Sequence, residues 1–217
     1  MLSFAEEIYL LSLDDVTGKV IVPSKEITLN SVLVGAVLEE LSFLNKVDSD
    51  LQDLHILNTE PTNNPILDST LESLKSMGTN KAPISRCLHI LLMNAKDIEA
   101  QVLEQLIKKA IVTKVEGRIL WVIPTKRYPI IDDRETIDVQ TRLRELILSD
   151  NIPEPRETVL VSLVNTCGLF SQILSPIELR RYEERIRTLS NMDIVGRQVV
   201  QLIDDIHTAQ ALLFPMA

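Results

Sequence analysis

The sequence predicts a mainly α protein: a single helical domain spanning residues 1–217 around a central buried helix, with one hydrophobic β-hairpin at about residues 111–123. Three observations point there. Only 6 of the 217 residues are Gly, against a usual ~7%, which leaves few tight turns and favours helices with short connections. Apolar residues recur at helical spacing along most of the chain. The strongest β signal is confined to one stretch, where β-branched residues flank Glu116-Gly117.

The elements follow in order. Residues 4–13 place Phe4, Ile8 and Leu11 on one helical face, with Glu6 and Glu7 early, where carboxylates suit the helix dipole. Asp14, Asp15 and Gly18 break that pattern, and residues 19–23 read as a short strand ended by Pro23. Residues 30–45 open with an Asn/Ser cap and are apolar on nearly every side up to Glu39, which marks the central helix. Residues 46–65 form a variable connection with a strand at 54–57. Helical period returns at 66–77, followed by a loop at 78–83 whose Pro83 starts the next helix. Residues 84–94 and 96–110 are two amphipathic helices. Strands at 111–115 and 118–123 then turn at Glu116-Gly117 and end at Pro124. Helices at 134–148, 156–170, 176–190 and 194–213 complete the chain. No repeat or low-complexity segment interrupts this order.

Composition narrows the function. Hydrophobic residues make up 45% and charged residues 24%, the values of a globular chain that buries its own core. Cys87 and Cys167 stand 80 positions apart without metal-ligand spacing, so both read as reduced, buried thiols of a cytosolic protein. The N-terminus lacks a basic region and a cleavage site, and no apolar run reaches the ~18–20 residues needed to span a bilayer. Nucleophile, zinc and phosphate-loop motifs are absent, and His55, His89 and His207 lie far apart. His89, alone on an apolar helix, reads as a hydrogen-bonded structural residue. Asp132, Asp133, Glu135 and Asp138 read as helix-dipole and solubility charges. No enzyme, metal or cofactor is expected.

The formal net charge of −9 argues at first against polyanionic partners. Its distribution argues otherwise. Residues 1–80 sum to −9, residues 81–127 to +5 and residues 128–217 to −5. The basic segment surrounds the only Trp, within Ile119-Leu120-Trp121-Val122-Ile123, flanked by Arg118 and by Lys126-Arg127. An apolar strand with an indole and neighbouring cations suits the headgroup boundary of an anionic membrane. A plain core strand, with Trp121 facing inward, is the structural alternative. Two helices followed by a two-stranded wing also outline a winged-helix nucleic-acid binder. Against it, the helix that would enter the groove bears Asp97, Glu99 and Glu104.

The ordered motifs resemble the Golgi phosphoprotein 3 family. They are Ala5-Glu6-Glu7-Ile8-Tyr9-Leu10-Leu11-Ser12-Leu13-Asp14 through Gly18, then Leu38-Glu39-Glu40-Leu41, Leu106-Ile107-Lys108-Lys109-Ala110 before Ile111-Val112-Thr113, and Pro155-Arg156 opening a Leu-rich helix. The resemblance covers about residues 2–210 and no single motif is diagnostic. It implies a helical domain whose apolar hairpin, here Ile119, Leu120, Trp121 and Val122, inserts into one membrane leaflet. In eukaryotic members a basic pocket beside the hairpin binds phosphatidylinositol 4-phosphate and serves the sorting of glycosyltransferases. Pocket positions of that family fall at Lys25, Val34, Lys96 and Glu99; Lys96 keeps the basic character and Lys25 replaces an aromatic. The resemblance thus implies a prokaryotic-type member, cytoplasmic and peripheral to the membrane, with anionic lipid as partner. Lys25, Lys96 and Arg118 are the expected headgroup ligands. In some members the hairpin also serves oligomerisation, which adds a second copy as a further expected partner.

Overall fold

The computed structural model describes residues 2–119 and 123–213. Helix α1 (Phe4–Leu11) begins at a capping box: Ser3 Oγ accepts from the Glu6 amide, and the Glu6 carboxylate accepts from the Ser3 amide. Helix α2 (Thr28–Phe43) is buried without interruption from Leu29 to Glu39 and again at Leu41. It is the central helix that the apolar sequence predicts. Against it pack α1, α3 (Pro65–Lys75), α4 (Ile84–Leu92), α5 (Ala95–Lys108), α7 (Pro155–Thr166) and α10 (Ile194–Leu213). Gly35 of α2 lets α10 approach closely, since a Cβ there would lie 2.6 Å from Val199 Cγ2. The outer helices α6 (Arg134–Leu148), α8 (Phe170–Ile173) and α9 (Pro176–Ser190) close the other side.

Several boundaries differ from the sequence reading. Residues 19–23 make no strand; Val20 forms only an isolated bridge to Leu13, across a turn in which Asp14 accepts from Thr17 and Gly18. No Asn/Ser cap opens α2. The turn at Ser24, whose carbonyl accepts from Ile27 and Thr28, starts the helix two residues earlier. Strands β1 (Val47–Ser49), β2 (Asp53–Ile56) and β3 (Lys81–Pro83) form a small antiparallel sheet in the order β1-β2-β3, where loops and one strand were expected. Strands this short carry little alternation, and β2 finds β3 only through the fold. The helix expected at 156–170 breaks after Thr166, where Gly168 takes φ +68°.

The hairpin exists in a different register. Strand β4 (Val115–Ile119) pairs with β5 (Ile123–Arg127) so that Glu116 faces Lys126 and Gly117 faces Thr125. Glu116-Gly117 therefore lies within a strand instead of at the turn. The strands are joined through Leu120, Trp121 and Val122, which lie outside the described residues. Pro124 sits inside β5, acceptable in a ribbon where each strand has only one partner.

Two buried charge groups organise the core. Glu6 and Glu7 of α1, both under 3% exposed, accept from Lys109 (2.6 Å) and Arg142 (2.7 Å) respectively. Arg156 of α7 stacks 4.0 Å over the Phe4 ring, donates to the Leu2 carbonyl, and lies 3.8 Å from Glu7 and 3.5 Å from Glu40. Glu40 also accepts from the Phe4 amide at 2.9 Å. Burial pushes the Glu7 carboxyl above its usual range, against the pull of Arg142. One residue before Glu40 on α2, Glu39 lies beside Asp193, whose Oδ1 accepts from the Gly196 amide in the first turn of α10. Burial and the adjacent Asp193 hold the Glu39 carboxyl far above its usual range, which favours its protonated form.

Arg142→Met removes the principal partner of buried Glu7 and is expected to cost roughly 3 kcal/mol, the low end for breaking a buried pair because Arg142 is partly exposed. Urea denaturation measures it, and Glu7→Gln on that background should recover part of the loss. Glu39 binds a proton more tightly folded than unfolded, so its contribution to stability is complete below its unfolded value of 4.5 and declines as pH rises toward its folded value. Denaturation midpoints should therefore fall between pH 5 and 9 in the wild type and fall less in Glu39→Gln. Partly buried Asp132 and Glu178, held down to about 2 by Arg134 and Arg144, act in a separate acidic window.

Candidate functional site

The hairpin joins the body through its base. Val112 bridges Ile130, the Thr113 amide donates to the Pro129 carbonyl (3.0 Å), and the Tyr128 amide donates to the Gly18 carbonyl (2.8 Å). Gly18, at φ +62°, is required here: a Cβ would lie 2.3 Å from the Pro129 nitrogen. The first turn of the chain thus clamps the foot of the hairpin. Four rungs of about 3.4 Å, roughly 14 Å in all, separate the basal pair Val115 and Arg127 from the distal pair Ile119 and Ile123.

Beside that base lies an open cleft of about 450 Å³. Helix α5 supplies one wall with Lys96, Glu99, Ala100, Leu103, Glu104 and Ile107, a single stripe at helical spacing. Lys25, in the turn before α2, and Lys114 and Tyr128, at the hairpin base, supply the rest. Two of the expected headgroup ligands, Lys25 and Lys96, therefore share one cleft. Arg118 belongs to β4, opposite Pro124, and its side chain lies outside the described residues, as do the side chain of Ile119 and all of Leu120, Trp121 and Val122.

The cleft is less basic than the segment count suggests. Lys25 Nζ lies 2.5 Å from Glu99 Oε1, and the hydroxyl of fully buried Tyr9 donates to the same oxygen at 3.0 Å. Burial and the neighbouring Glu99 raise the Tyr9 phenol far above its usual range, so it remains a donor. Lys114 pairs with Glu116. Lys96 meets Glu26 only at 3.8 Å, with both side chains more than three-quarters exposed, a contact of little energetic weight. Glu104 faces Lys108 one turn on, at 2.9 Å. Sequence reasoning placed Glu99 on this helix but missed Tyr9, Lys114 and Tyr128 as its neighbours. The α5 stripe was the available signal for Glu99; nothing local points from Tyr9 to a residue 90 positions away.

Elsewhere the chemistry is sparse. Cys87 and Cys167 are buried free thiols, pushed by burial to about 11 and about 12. His89 Nδ1 lies 2.7 Å from the Ser85 carbonyl, a local hydrogen bond of its own helix. Among the described residues no group of three His, Cys, Asp or Glu could hold a metal ion.

This helical architecture, with a charged cleft at the foot of a two-stranded ribbon, defines the class, and the sequence comparison defines the family. The model of the Golgi phosphoprotein 3 (GPP34) family matches residues 4–206. The chain belongs to that family. A comparison with curated proteins returns no match.

Gly18→Ala forces a side chain into the Pro129 backbone and is expected to cost at least about 2 kcal/mol, as overpacking at a rigid contact does. Amide exchange at Tyr128 and Thr113 should accelerate more than exchange in α2, which locates the damage at the hairpin foot.

Proposed function

We propose that this protein is a peripheral, cytoplasmic, non-enzymatic membrane-binding protein. Its hairpin tip enters one leaflet, and its cleft rim meets anionic headgroups. The observation that carries this reading is the register of β4 and β5. It puts the pair Ile119 and Ile123 at the end of the ribbon opposite its anchored base, and Leu120-Trp121-Val122 are the three residues between that pair in sequence. A Trp flanked by aliphatic residues at a hairpin connection matches the amphipathic chemistry of the bilayer interface. Lys25 and Lys96 stand in the cleft beside the base, and a Lys near an anionic surface contributes about 1 kcal/mol. No described helix is long and apolar enough to cross a membrane, so the reading assigns attachment to the hairpin and the charged rim.

Family membership supports this reading, because the lipid-binding hairpin and neighbouring pocket are what the resemblance implies. The nucleic-acid alternative is disfavoured by α5, which brings Glu99 and Glu104 into the same cleft as the lysines and would oppose a phosphate backbone.

Cosedimentation with phosphatidylcholine vesicles, with and without phosphatidylserine, tests it. Wild-type protein should pellet preferentially with the anionic vesicles and lose binding as salt rises. Trp121→Asp should lower the bound fraction by about tenfold, since a charge replaces an interfacial aromatic, with unchanged far-ultraviolet circular dichroism. Wild-type protein that stays in the supernatant, or Trp121→Asp that pellets equally well, overturns the reading.

A further inference from the structure

Glu99 occupies the most enclosed position among the charged groups of the cleft. Its side chain is 16% exposed, whereas Lys25 is 39% exposed and Lys96 78% exposed. Two donors from separate elements converge on one of its oxygens: the ammonium of Lys25, from the turn before α2, and the hydroxyl of Tyr9, from α1. A cationic donor and a neutral hydroxyl directed at one oxygen form the kind of seat that a phosphate oxygen takes in an anion site. Here a carboxylate of the chain itself fills it.

We infer that Glu99 is a specificity-determining residue that acts as the cleft's internal anion and excludes dianionic phosphate groups from the inner seat. The inference rests on the membrane reading only for its biological setting. Its chemistry concerns the cleft alone.

Electrostatics carries the inference. A phosphate approaching Lys25 must either displace the Glu99 carboxylate from that ammonium or sit next to it. Displacement leaves a mostly buried carboxylate with only the Tyr9 donor, and proximity sets like charges within a few ångströms in a partly desolvated site. Neither penalty applies at the outer rim, where Lys96 is paired among the described residues with Glu26, across a long and exposed contact. The wild-type cleft therefore accepts diffuse negative charge from a surface and rejects a multiply charged phosphate inside. Such a protein prefers the charge density of a membrane to the identity of a headgroup. Lys114, committed to Glu116 at 2.5 Å, does not reverse this balance.

The residue type at position 99 then sets the selectivity. Glu99→Gln keeps the volume and an acceptor for the Tyr9 hydroxyl but removes the competing charge. Soluble inositol 1,4-bisphosphate and inorganic phosphate, titrated calorimetrically against purified protein, provide the test. Glu99→Gln should bind the bisphosphate about tenfold or more tightly than wild type, the scale of one removed like charge at close range. The gain should disappear in the Glu99→Gln, Lys25→Met double variant. Glu99→Asp, which retains the charge, should bind as wild type does. Equal binding by wild type and Glu99→Gln overturns the inference, as does an equal gain in Glu99→Asp, which would assign the effect to loosened packing.

A vesicle arm separates headgroup from free phosphate. Replacing phosphatidylserine by phosphatidylinositol 4-phosphate at matched charge should leave wild-type binding unchanged and strengthen Glu99→Gln binding. A wild type that favours the phosphoinositide at matched charge overturns the inference. Because the soluble titration needs no membrane, the inference stands or falls there even if the hairpin never inserts.

Discussion

The fold depends on placing two adjacent glutamates, Glu6 and Glu7, inside the protein. A first helix of eight residues cannot hold itself together in water, and burying two carboxylates without partners would be prohibitive. Lys109, Arg142 and Arg156 resolve both problems together. They come from the end of α5, from α6 and from α7, so α1 is fixed to three other helices by charge as well as by Phe4, Ile8 and Leu11. The desolvation cost keeps these pairs from adding much net stability. Their value is positional: only one docking of α1 satisfies all of them.

That docking reaches the candidate site by two routes. Lys109 is the residue that closes α5, immediately before the chain leaves for the hairpin, so its bond to Glu6 fixes where the ribbon starts. One turn further along α1, Tyr9 passes through the core and presents its hydroxyl to Glu99. The turn that follows α1 supplies Gly18, whose carbonyl and missing side chain receive the hairpin foot. Cleft and hairpin are both outgrowths of the first eighteen residues.

Much of this was legible in the sequence. Helical periodicity located every long helix to within a few residues, because each buries a continuous stripe, and α2 announced itself by being apolar all round. The hairpin was legible as a hairpin but not in register. Its two flanks have similar β-propensity, and the pairing is settled by contacts from outside it, Val112 with Ile130 and Gly18 with Tyr128. Of the small sheet only the strand at 54–57 was expected, because β1 and β3 have three residues each, too few for an alternation to show. Glu6 and Glu7 read locally as dipole charges; their partners lie 103 and 135 residues away, beyond any local rule. The segment sum of +5 suggested a positive face, but it could not show that Glu99, Glu104 and Glu116 are interleaved with the lysines in space.

The bond from Tyr9 to Glu99 has an evolutionary consequence. A buried hydroxyl stripped of its acceptor costs about 1 to 3 kcal/mol, so residue 99 cannot become a cation without a compensating change at residue 9. The surface chemistry of the cleft is thereby coupled to the interior. Lys96, held across a long and exposed contact at the rim, carries no comparable tie to the core.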